Sequence, residues 1–327
     1  MEMRTCGKSG IEISPMGIGC WSYGGGDYWG PQAQSDVTAV AHAALDAGIN
    51  FFDTAEGYNV GRSEEAIGVA LNGRRHEAVI GTKISTPDPS KIRERCEASL
   101  ERLHTDYIDI YMIHWPHDEF PIDASMAELT KLKEDGLTRA IGVSNFGVSQ
   151  LTAALHTGTE LAVNQVCYNL LSRAIEIELM PMCREHGIGI LGYMPLLQGI
   201  LTGKYKSAEE IPPMHSRFRH FRDERPMATH GEEGAEKEMF EILESIRKIA
   251  NAENIPMSRL AIAWTMAKPE ITCMLVGTRN IGELTENLHA IEYTPSSDVM
   301  EQLDKLTAPL LEKMGANPDY FTGKRIR

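Results

Sequence analysis

The chain repeats one pattern eight times: a short apolar segment, a polar loop, and a segment with helical spacing. The apolar segments are typical of buried strands and span 16–21, 51–55, 78–84, 108–115, 139–145, 161–168, 188–194 and 272–277. The helical segments span 35–47, 63–72, 90–103, 123–135, 149–157, 175–186, 235–253, 257–267 and 280–291. Two of them, 235–253 and 257–267, follow the seventh strand after a long irregular segment, so nine helices accompany eight strands. Alternation of this kind favours parallel strand pairing, and eight strands favour closure. The predicted fold is α/β, a (β/α)8 TIM barrel.

Three segments lie outside this repeat. Residues 1–15 carry turn-forming glycines and predict an N-terminal β-hairpin before the barrel. Residues 197–235 contain no long regular element, and a loop of that length is typical of a lid or binding loop. A further accessory helix is expected after residue 297. Because no shift in composition marks a boundary, residues 1–327 are predicted to form a single domain.

Composition excludes several classes of protein. A net charge of −14 disfavours a nucleic-acid partner, because an acidic protein repels phosphate backbones. The six cysteines form no C-x-x-C pair, which argues against a zinc framework or a disulfide scaffold and fits a reducing compartment. No signal core or membrane-length apolar run is present, so a cytoplasmic protein without a membrane partner is expected.

Ionisable residues follow three successive predicted strands. Asp53 and Tyr58 follow the second strand, Lys83 ends the third, and His114 ends the fourth. The carboxyl ends of barrel strands meet at one face, where chemistry is done in such folds. A neighbouring ammonium is expected to lower the pKa of the Tyr58 phenol, and a carboxylate keeps the ammonium charged. Tyr58 could then protonate an oxygen that becomes alkoxide-like as hydride reaches its carbon.

The sequence resembles the aldo-keto reductase family, which comprises NAD(P)H-dependent carbonyl reductases built on an eight-stranded α/β barrel. The matching segments occur in family order along nearly the whole barrel. They are 53–58, 81–83, His114, 142–146, 164–165, 193–196, 199–205 and 286–287. The resemblance is strongest to the bacterial branch that includes sugar- and inositol-related reductases and the potassium-channel β-subunits.

The resemblance implies roles for individual residues. Tyr58 matches the general acid, Lys83 and Asp53 the pair that tunes it, and His114 the residue that orients the substrate. For the cofactor, it implies that Ser144, Asn145 and Gln165 hold the nicotinamide carboxamide and that Tyr193 stacks on the ring. Other implied cofactor contacts are Gly19, Trp21, Pro195, Leu196, Gly199, Lys204, Gly277, Thr278, Arg279, Glu286 and Asn287.

The phosphate end departs from the family pattern. Many members have basic residues where Gly277 and Glu283 stand here, so Arg279 is the main candidate for contact with a 2′-phosphate. NADPH is therefore the expected cofactor, with NADH as an alternative. No metal is expected, because no H-x-H pair ends a strand.

Substrate contacts rest on less specific signals. The aromatic residues Tyr23, Trp29 and Trp115 lie on loops or strand ends near the proposed mouth and are predicted to line it. The cations of the 197–235 loop are hypothesised to meet an anionic substrate or the cofactor phosphates. The alternative is an ordinary solvated loop.

The favoured function is reduction of a small-molecule aldehyde or ketone, including a sugar or sugar derivative. Two alternatives are oxidation of a sugar or polyol with NAD(P)+ and a nucleotide-sensing regulatory module. A metal-dependent hydrolase is disfavoured. The choice between a monomer and a homo-oligomer is open.

Overall fold

Eight parallel strands form the centre of the protein in a computed structural model that describes residues 1–326. After a two-stranded antiparallel hairpin, β1 (Arg4–Thr5) and β2 (Glu12–Ile13), the barrel strands follow in chain order. They are β3 (Met16–Gly19), β4 (Phe51–Asp53), β5 (Val79–Ile84), β6 (Ile108–Ile113), β7 (Thr138–Ser144), β8 (Leu161–Cys167), β9 (Gly189–Tyr193) and β10 (Ile271–Gly277). Strand β10 pairs with both β9 and β3, which closes the barrel and confirms the predicted fold.

Helices surround the strands. They are α1 (Gln34–Asp46), α2 (Arg62–Ala70), α3 (Ile92–Leu103), α4 (Ile122–Glu134), α5 (Val148–His156), α6 (Leu179–His186), α7 (Glu236–Ala252), α8 (Met257–Met266), α9 (Ile281–Glu292) and α10 (Ser297–Met314). The largest difference from the predicted bounds is at α6, because a 3-10 turn over Ala174–Glu176 precedes it. Within residues 1–326, no helix is both long and apolar enough to cross a membrane.

The barrel interior is filled by apolar side chains. Phe51, Ile110 and Met112 are fully buried there, and the hairpin residues Cys6 and Ile13 belong to the same cluster. The hairpin packs at the amino ends of the strands, where a Cβ on Gly7 would lie 2.6 Å from the Ala162 carbonyl oxygen. This arrangement leaves the carboxyl ends of the strands open for a site.

The Phe51 ring fits because two of its neighbours have no side chain. A Cβ on Gly17 would lie 2.8 Å from Phe51 Cδ1, and one on Gly81 would lie 2.9 Å from Phe51 Cζ. In an interior packed this closely, a change in side-chain volume strongly affects the stability of the fold.

The long loop and the C-terminal tail form one layer over the carboxyl end of the barrel. As predicted, residues 197–235 contain no α-helix or strand, only 3-10 turns and irregular segments. The His220 ring stacks on Tyr320 with centroids 4.9 Å apart, and Arg219 Nη1 donates to the Asn317 carbonyl oxygen at 2.9 Å. The loop and the tail therefore support one another.

We expect Phe51→Ala to lower the free energy of unfolding by about 3–5 kcal/mol, because it leaves a cavity inside the barrel. Urea denaturation measures the change. As a control, Val69→Ala alters a side chain that is 46% exposed and should stay within about 0.5 kcal/mol. Equal effects of the two substitutions would contradict the packing described here.

Candidate active site

A buried ammonium lies at the centre of the site. Lys83, near the carboxyl end of β5, is fully buried, and its Nζ lies 2.8 Å from Asp53 Oδ1 and 2.9 Å from Asp53 Oδ2. It also donates to the Thr54 carbonyl oxygen at 2.7 Å and to the Tyr58 hydroxyl at 3.4 Å. The structure thus brings Lys83 into contact with Asp53 and Tyr58, which lie 30 and 25 positions away in the chain.

The loop that carries Tyr58 is held on both sides. Glu56 accepts hydrogen bonds from Arg95 Nη2 at 2.7 Å and Arg95 Nε at 2.9 Å, the bidentate geometry that fixes a carboxylate most firmly. On the other side, the Thr54 hydroxyl lies 2.8 Å from that of Ser63, which donates to the Cys20 carbonyl oxygen at 2.7 Å. These contacts limit the freedom of Tyr58 relative to Lys83.

Burial governs the protonation of Tyr58 in this structure. It raises the pKa of the phenol, and the Lys83 ammonium opposes that effect without cancelling it. Lys83 lowers the pKa of Tyr58 as expected, but desolvation of the phenolate, which the sequence-based expectation left out, outweighs it and raises the net pKa. Burial lowers the pKa of Lys83, but Asp53 and Tyr58 together raise it above its ordinary value. At neutral pH the pair is a protonated phenol beside an ammonium.

His114 lies beside Tyr58 as a neutral imidazole. The two ring centroids are 5.5 Å apart in an edge-to-face arrangement. Desolvation, followed by the positive charges of Lys83 and Arg325, lowers the pKa of His114 to about 3. A neutral imidazole can donate or accept a hydrogen bond at a substrate oxygen without adding charge.

The residues predicted to hold the carboxamide form a hydrogen-bonded group. Asn145 Nδ2 donates to the His114 carbonyl oxygen at 2.9 Å and to Ser144 Oγ at 3.0 Å, and Tyr193 Oη donates to Asn145 Oδ1 at 2.7 Å. Gln165 Nε2 donates to Asp53 Oδ1 at 2.7 Å, a bond that the sequence did not predict. Asn145 has a φ of 60°, a left-handed conformation that asparagine tolerates better than most residues.

The predicted phosphate site contains a carboxylate of the chain itself. At the start of α9, Glu283 Oε2 accepts from the Arg279 backbone N–H at 2.7 Å, and Glu283 Oε1 accepts from Asn280 Nδ2 at 3.2 Å. The Arg279 guanidinium donates to Gln32 Oε1 at 2.9 Å and to the Pro31 carbonyl oxygen at 2.8 Å. Neither of those partners is charged, so this guanidinium keeps its positive charge unneutralised while its N–H groups are partly used.

The other residues predicted for the nucleotide lie around this end of the barrel. Gly19 and Gly277 are register partners in β3 and β10, and a Cβ on Gly277 would meet no atom within 4 Å. Buried Asn287 donates to Thr278 Oγ1 at 3.0 Å. Glu286 is exposed and lies 3.6 Å from Arg259 Nη2. There is open space beside Gly277 for an extended polar ligand.

The segment after β9 adds a cation. Pro195 is buried, Leu196 is half-buried, and Gly199 has a left-handed φ of 91°. A Cβ on Gly199 would lie 2.8 Å from Lys204 Nζ, so the ammonium lies against this turn. One end of the site has the side-chain amides of Asn145 and Gln165 and the Tyr193 ring. The other end has the Lys204 ammonium and the open backbone at Gly277. This arrangement fits a nicotinamide nucleotide.

Aromatic rings form one wall of the mouth. Trp21 lies 6.1 Å from Tyr58 between ring centroids, and it contacts Tyr28 at 4.9 Å and Trp29 at 5.2 Å. Tyr28 was not predicted, because periodicity does not indicate which ring of an irregular loop faces inward. Tyr23 was predicted to meet the substrate but is fully buried in the core outside the barrel, so that prediction was wrong.

A second aromatic group combines the predicted residue Trp115 with the C-terminal tail. Trp115 packs edge-to-face against Phe321 with centroids 5.6 Å apart, and the Arg325 guanidinium lies 4.8 Å from the Trp115 centroid. The tail residues were missed, because nothing in the sequence indicated where an irregular segment after the last helix would pack.

Comparison with known proteins identifies the family. The model of the aldo/keto reductase family matches residues 15–308. The chain belongs to the aldo/keto reductase family. Among curated relatives, the NADH-specific methylglyoxal reductase of Escherichia coli (strain K12) is 33% identical, with 96% of this chain and 100% of the relative covered. A probable voltage-gated potassium channel subunit beta of Arabidopsis thaliana is 30% identical, with 90% and 92% covered.

Solved structures of the family agree with the fold. The glycerol dehydrogenase AKR11B4 from Gluconobacter oxydans superposes with a TM-score of 0.79 at 29% identity, covering 97% of this chain and 96% of that one. An aldo-keto reductase from Klebsiella pneumoniae in complex with NADPH gives a TM-score of 0.74 at 27% identity, covering 100% and 99%.

The low pKa of His114 predicts a pH dependence of stability. Between pH values of about 6.5 and about 3, the unfolded chain binds a proton at His114 that the folded protein does not. The contribution of neutral His114 to the free energy of unfolding is therefore complete above a pH of about 6.5 and declines as the pH falls below that value. Between pH ~7 and ~5, urea denaturation should show a larger loss of unfolding free energy for the wild type than for His114→Gln. Equal losses would mean that the imidazole is not held neutral.

Proposed function

We propose that this protein is an NAD(P)H-dependent oxidoreductase that reduces an aldehyde or ketone to an alcohol, with Tyr58 as the general acid. Sugars and sugar derivatives are among the candidate substrates. The observation that carries the proposal is the buried Lys83 ammonium, which contacts both the Asp53 carboxylate and the Tyr58 hydroxyl.

The chemistry follows from these contacts. A bound nicotinamide nucleotide would supply the hydride. The Tyr58 phenol holds its proton at neutral pH, and it would donate that proton to the carbonyl oxygen as negative charge develops there. Lys83 would stabilise the phenolate that forms, and Asp53 keeps the ammonium charged and in place. The neutral His114 imidazole would hydrogen-bond to the same substrate oxygen.

The choice of nucleotide depends on Glu283. Its carboxylate accepts a hydrogen bond from the Arg279 backbone N–H at the N-terminus of α9. Helix N-termini bind phosphate groups in many other proteins. A 2′-phosphate there would meet a like charge, whereas NADH carries no such group. This supports use of NADH beside the expected NADPH, and the E. coli relative is described as NADH-specific.

Two other functions are suggested by proteins that this chain resembles. Oxidation of a polyol with NAD(P)+ would use the same residues in reverse, and one similar solved structure is a glycerol dehydrogenase. A nucleotide-sensing role is motivated by the similarity to channel β-subunits. The complete set of Asp53, Tyr58, Lys83 and His114 favours a catalytic function over sensing alone.

Tyr58→Phe removes the proton donor but retains the ring. We expect turnover of aldehydes, aldoses and ketones to fall by about 100-fold or more, while NADPH and NADH affinities stay within about twofold. Nucleotide oxidation and nucleotide titration by fluorescence measure the two quantities. Nucleotide binding by the wild type without turnover of any carbonyl would favour the sensing or oxidation alternatives. Absence of nucleotide binding would remove the basis of all three.

Glu283→Gln tests the explanation of nucleotide choice. Removing the carboxylate should tighten NADPH binding by about five- to tenfold, because the repulsion between neighbouring charges disappears. NADH binding should change by less than about twofold. The matched control is Glu292→Gln, which removes one charge at the other end of α9. Parallel changes for both nucleotides would show that Glu283 does not sense the 2′-phosphate.

A further inference from the structure

The Arg279 guanidinium is held by uncharged partners, although the chain places a carboxylate close to it. Its Nε donates to Gln32 Oε1 at 2.9 Å, and its Nη2 donates to the Pro31 carbonyl oxygen at 2.8 Å. Within residues 1–326, Arg279 forms no ion pair with a carboxylate. This choice of partners calls for a physical explanation, because opposite charges at short range attract one another.

The carboxylate in question belongs to Glu283. Its Oε2 accepts from the Arg279 backbone N–H at 2.7 Å, and the Glu283 backbone N–H donates to Asn280 Oδ1 at 2.9 Å, the usual bond of a helix N-cap. These bonds tie the carboxylate to the same residue that carries the guanidinium. Rotation of the long Arg279 side chain can therefore bring the two charges together, and such a pair would neutralise the cation that a phosphate needs.

Gln32 opposes that pairing through two reciprocal hydrogen bonds. Its Oε1 accepts from Arg279 Nε, and its Nε2 donates to the Arg279 carbonyl oxygen at 2.9 Å. Because the amide accepts with one end and donates with the other, both groups of the side chain are used and its orientation is fixed. A neutral amide suits this position, since a carboxylate here would itself neutralise the arginine.

The backbone around Gln32 is fixed by the loop that precedes α1. Pro31 and Gln32 come just before this helix, which begins at Gln34. A Cβ on Gly25 would lie 3.2 Å from the Gly30 carbonyl oxygen and 3.3 Å from the Gln32 backbone nitrogen, so a turn with a left-handed φ of 73° packs directly against the segment. Holding the acceptors in place in advance reduces the entropy lost when the arginine binds a ligand.

One edge of the guanidinium stays available. Gln32 and Pro31 occupy the edge formed by Nε and Nη2. In the part of the chain that the structure describes, Arg279 Nη1 has no hydrogen-bond partner. The edge formed by Nη1 and Nη2 can then offer two N–H groups to the oxygens of one phosphate, a geometry to which arginine is well suited.

We propose that Gln32 is a positioning residue for the nucleotide. It keeps the Arg279 guanidinium from pairing with Glu283 and so preserves a free cation for the 2′-phosphate of NADPH. An exposed ion pair is only weakly favourable, so the hydrogen bonds of one side chain suffice to decide between the two arrangements. The inference rests on the proposed use of a nicotinamide nucleotide, and it explains how a chain with an acidic residue at this site still accepts NADPH.

Removing the amide should weaken NADPH binding selectively. For Gln32→Leu we expect NADPH affinity to fall by about three- to tenfold, because Arg279 is then free to pair with Glu283, whereas NADH affinity should stay within about twofold. Nucleotide titration followed by fluorescence measures both affinities and requires no turnover. The matched control is Gln34→Leu, the same substitution at the first residue of α1, which should change neither affinity.

A double-mutant cycle distinguishes positioning from a general structural role. In a Glu283→Gln background, Gln32→Leu should weaken NADPH binding by less than about twofold, because no carboxylate remains to capture the guanidinium. Gln32→Glu should weaken NADPH binding by about tenfold in either background, because the introduced carboxylate pairs with Arg279 directly. A defect in the fold would instead lower the affinity equally with and without the Glu283 carboxylate.

Each of three results contradicts the proposal. Equal losses of NADPH and NADH affinity in Gln32→Leu would assign this glutamine to the fold and not to nucleotide choice. An undiminished effect of Gln32→Leu in the Glu283→Gln background would show that Glu283 does not compete for the guanidinium. Wild-type NADPH affinity in Arg279→Gln would remove the phosphate contact itself.

The same measurements separate this inference from the proposed reductase function. Nucleotide binding that depends on Gln32 as described, without turnover of any carbonyl, would refute the reductase and leave the role of Gln32 intact. Turnover of carbonyls with no selective effect of Gln32→Leu would do the reverse. Absence of nucleotide binding by the wild type would refute both.

Discussion

The buried contact between Lys83 and Asp53 is the interaction on which the rest of the site depends. Removing two charges from water is costly, and the cost is offset only where the geometry is close and other polar groups contribute. Here the Thr54 carbonyl, the Tyr58 hydroxyl and Gln165 supply those groups. Tyr58, the proposed proton donor, and Gln165, a predicted nucleotide contact, are thereby both positioned by hydrogen bonds to this one ion pair.

The barrel and the central residues could be predicted from the sequence because both depend on local or repeated signals. Eight strand–helix units constrain the topology, and each of Asp53, Lys83 and His114 lies at or next to the end of an apolar strand. Parallel pairing then brings these positions to one face. The proximity of Asp53 to Lys83 follows from the pairing of β4 with β5, and needs no further information.

The rim of the mouth could not be predicted, and the reason is physical. Irregular loops have no period that indicates which side chain faces inward, so Tyr23 was assigned to the mouth and Tyr28 was overlooked. The tail is positioned by Asp319, whose bonds to nearby backbone N–H groups leave no pattern in composition or spacing. The net pKa of Tyr58 was also missed, because burial depends on packing that no local motif records.

The hydrogen bond between Gln165 and Asp53 has a consequence for folding. It joins β8 to β4 on opposite sides of the barrel, between residues 112 positions apart in the chain. A partly formed barrel containing only the first strands would hold the Asp53 carboxylate without this donor, and an incompletely satisfied buried charge is unfavourable. The hydrogen-bonded group around Lys83 and Asp53 therefore links the two halves of the barrel. It favours a single cooperative transition over independent opening of either half, and amide hydrogen exchange in β4 and β8 should share one opening free energy.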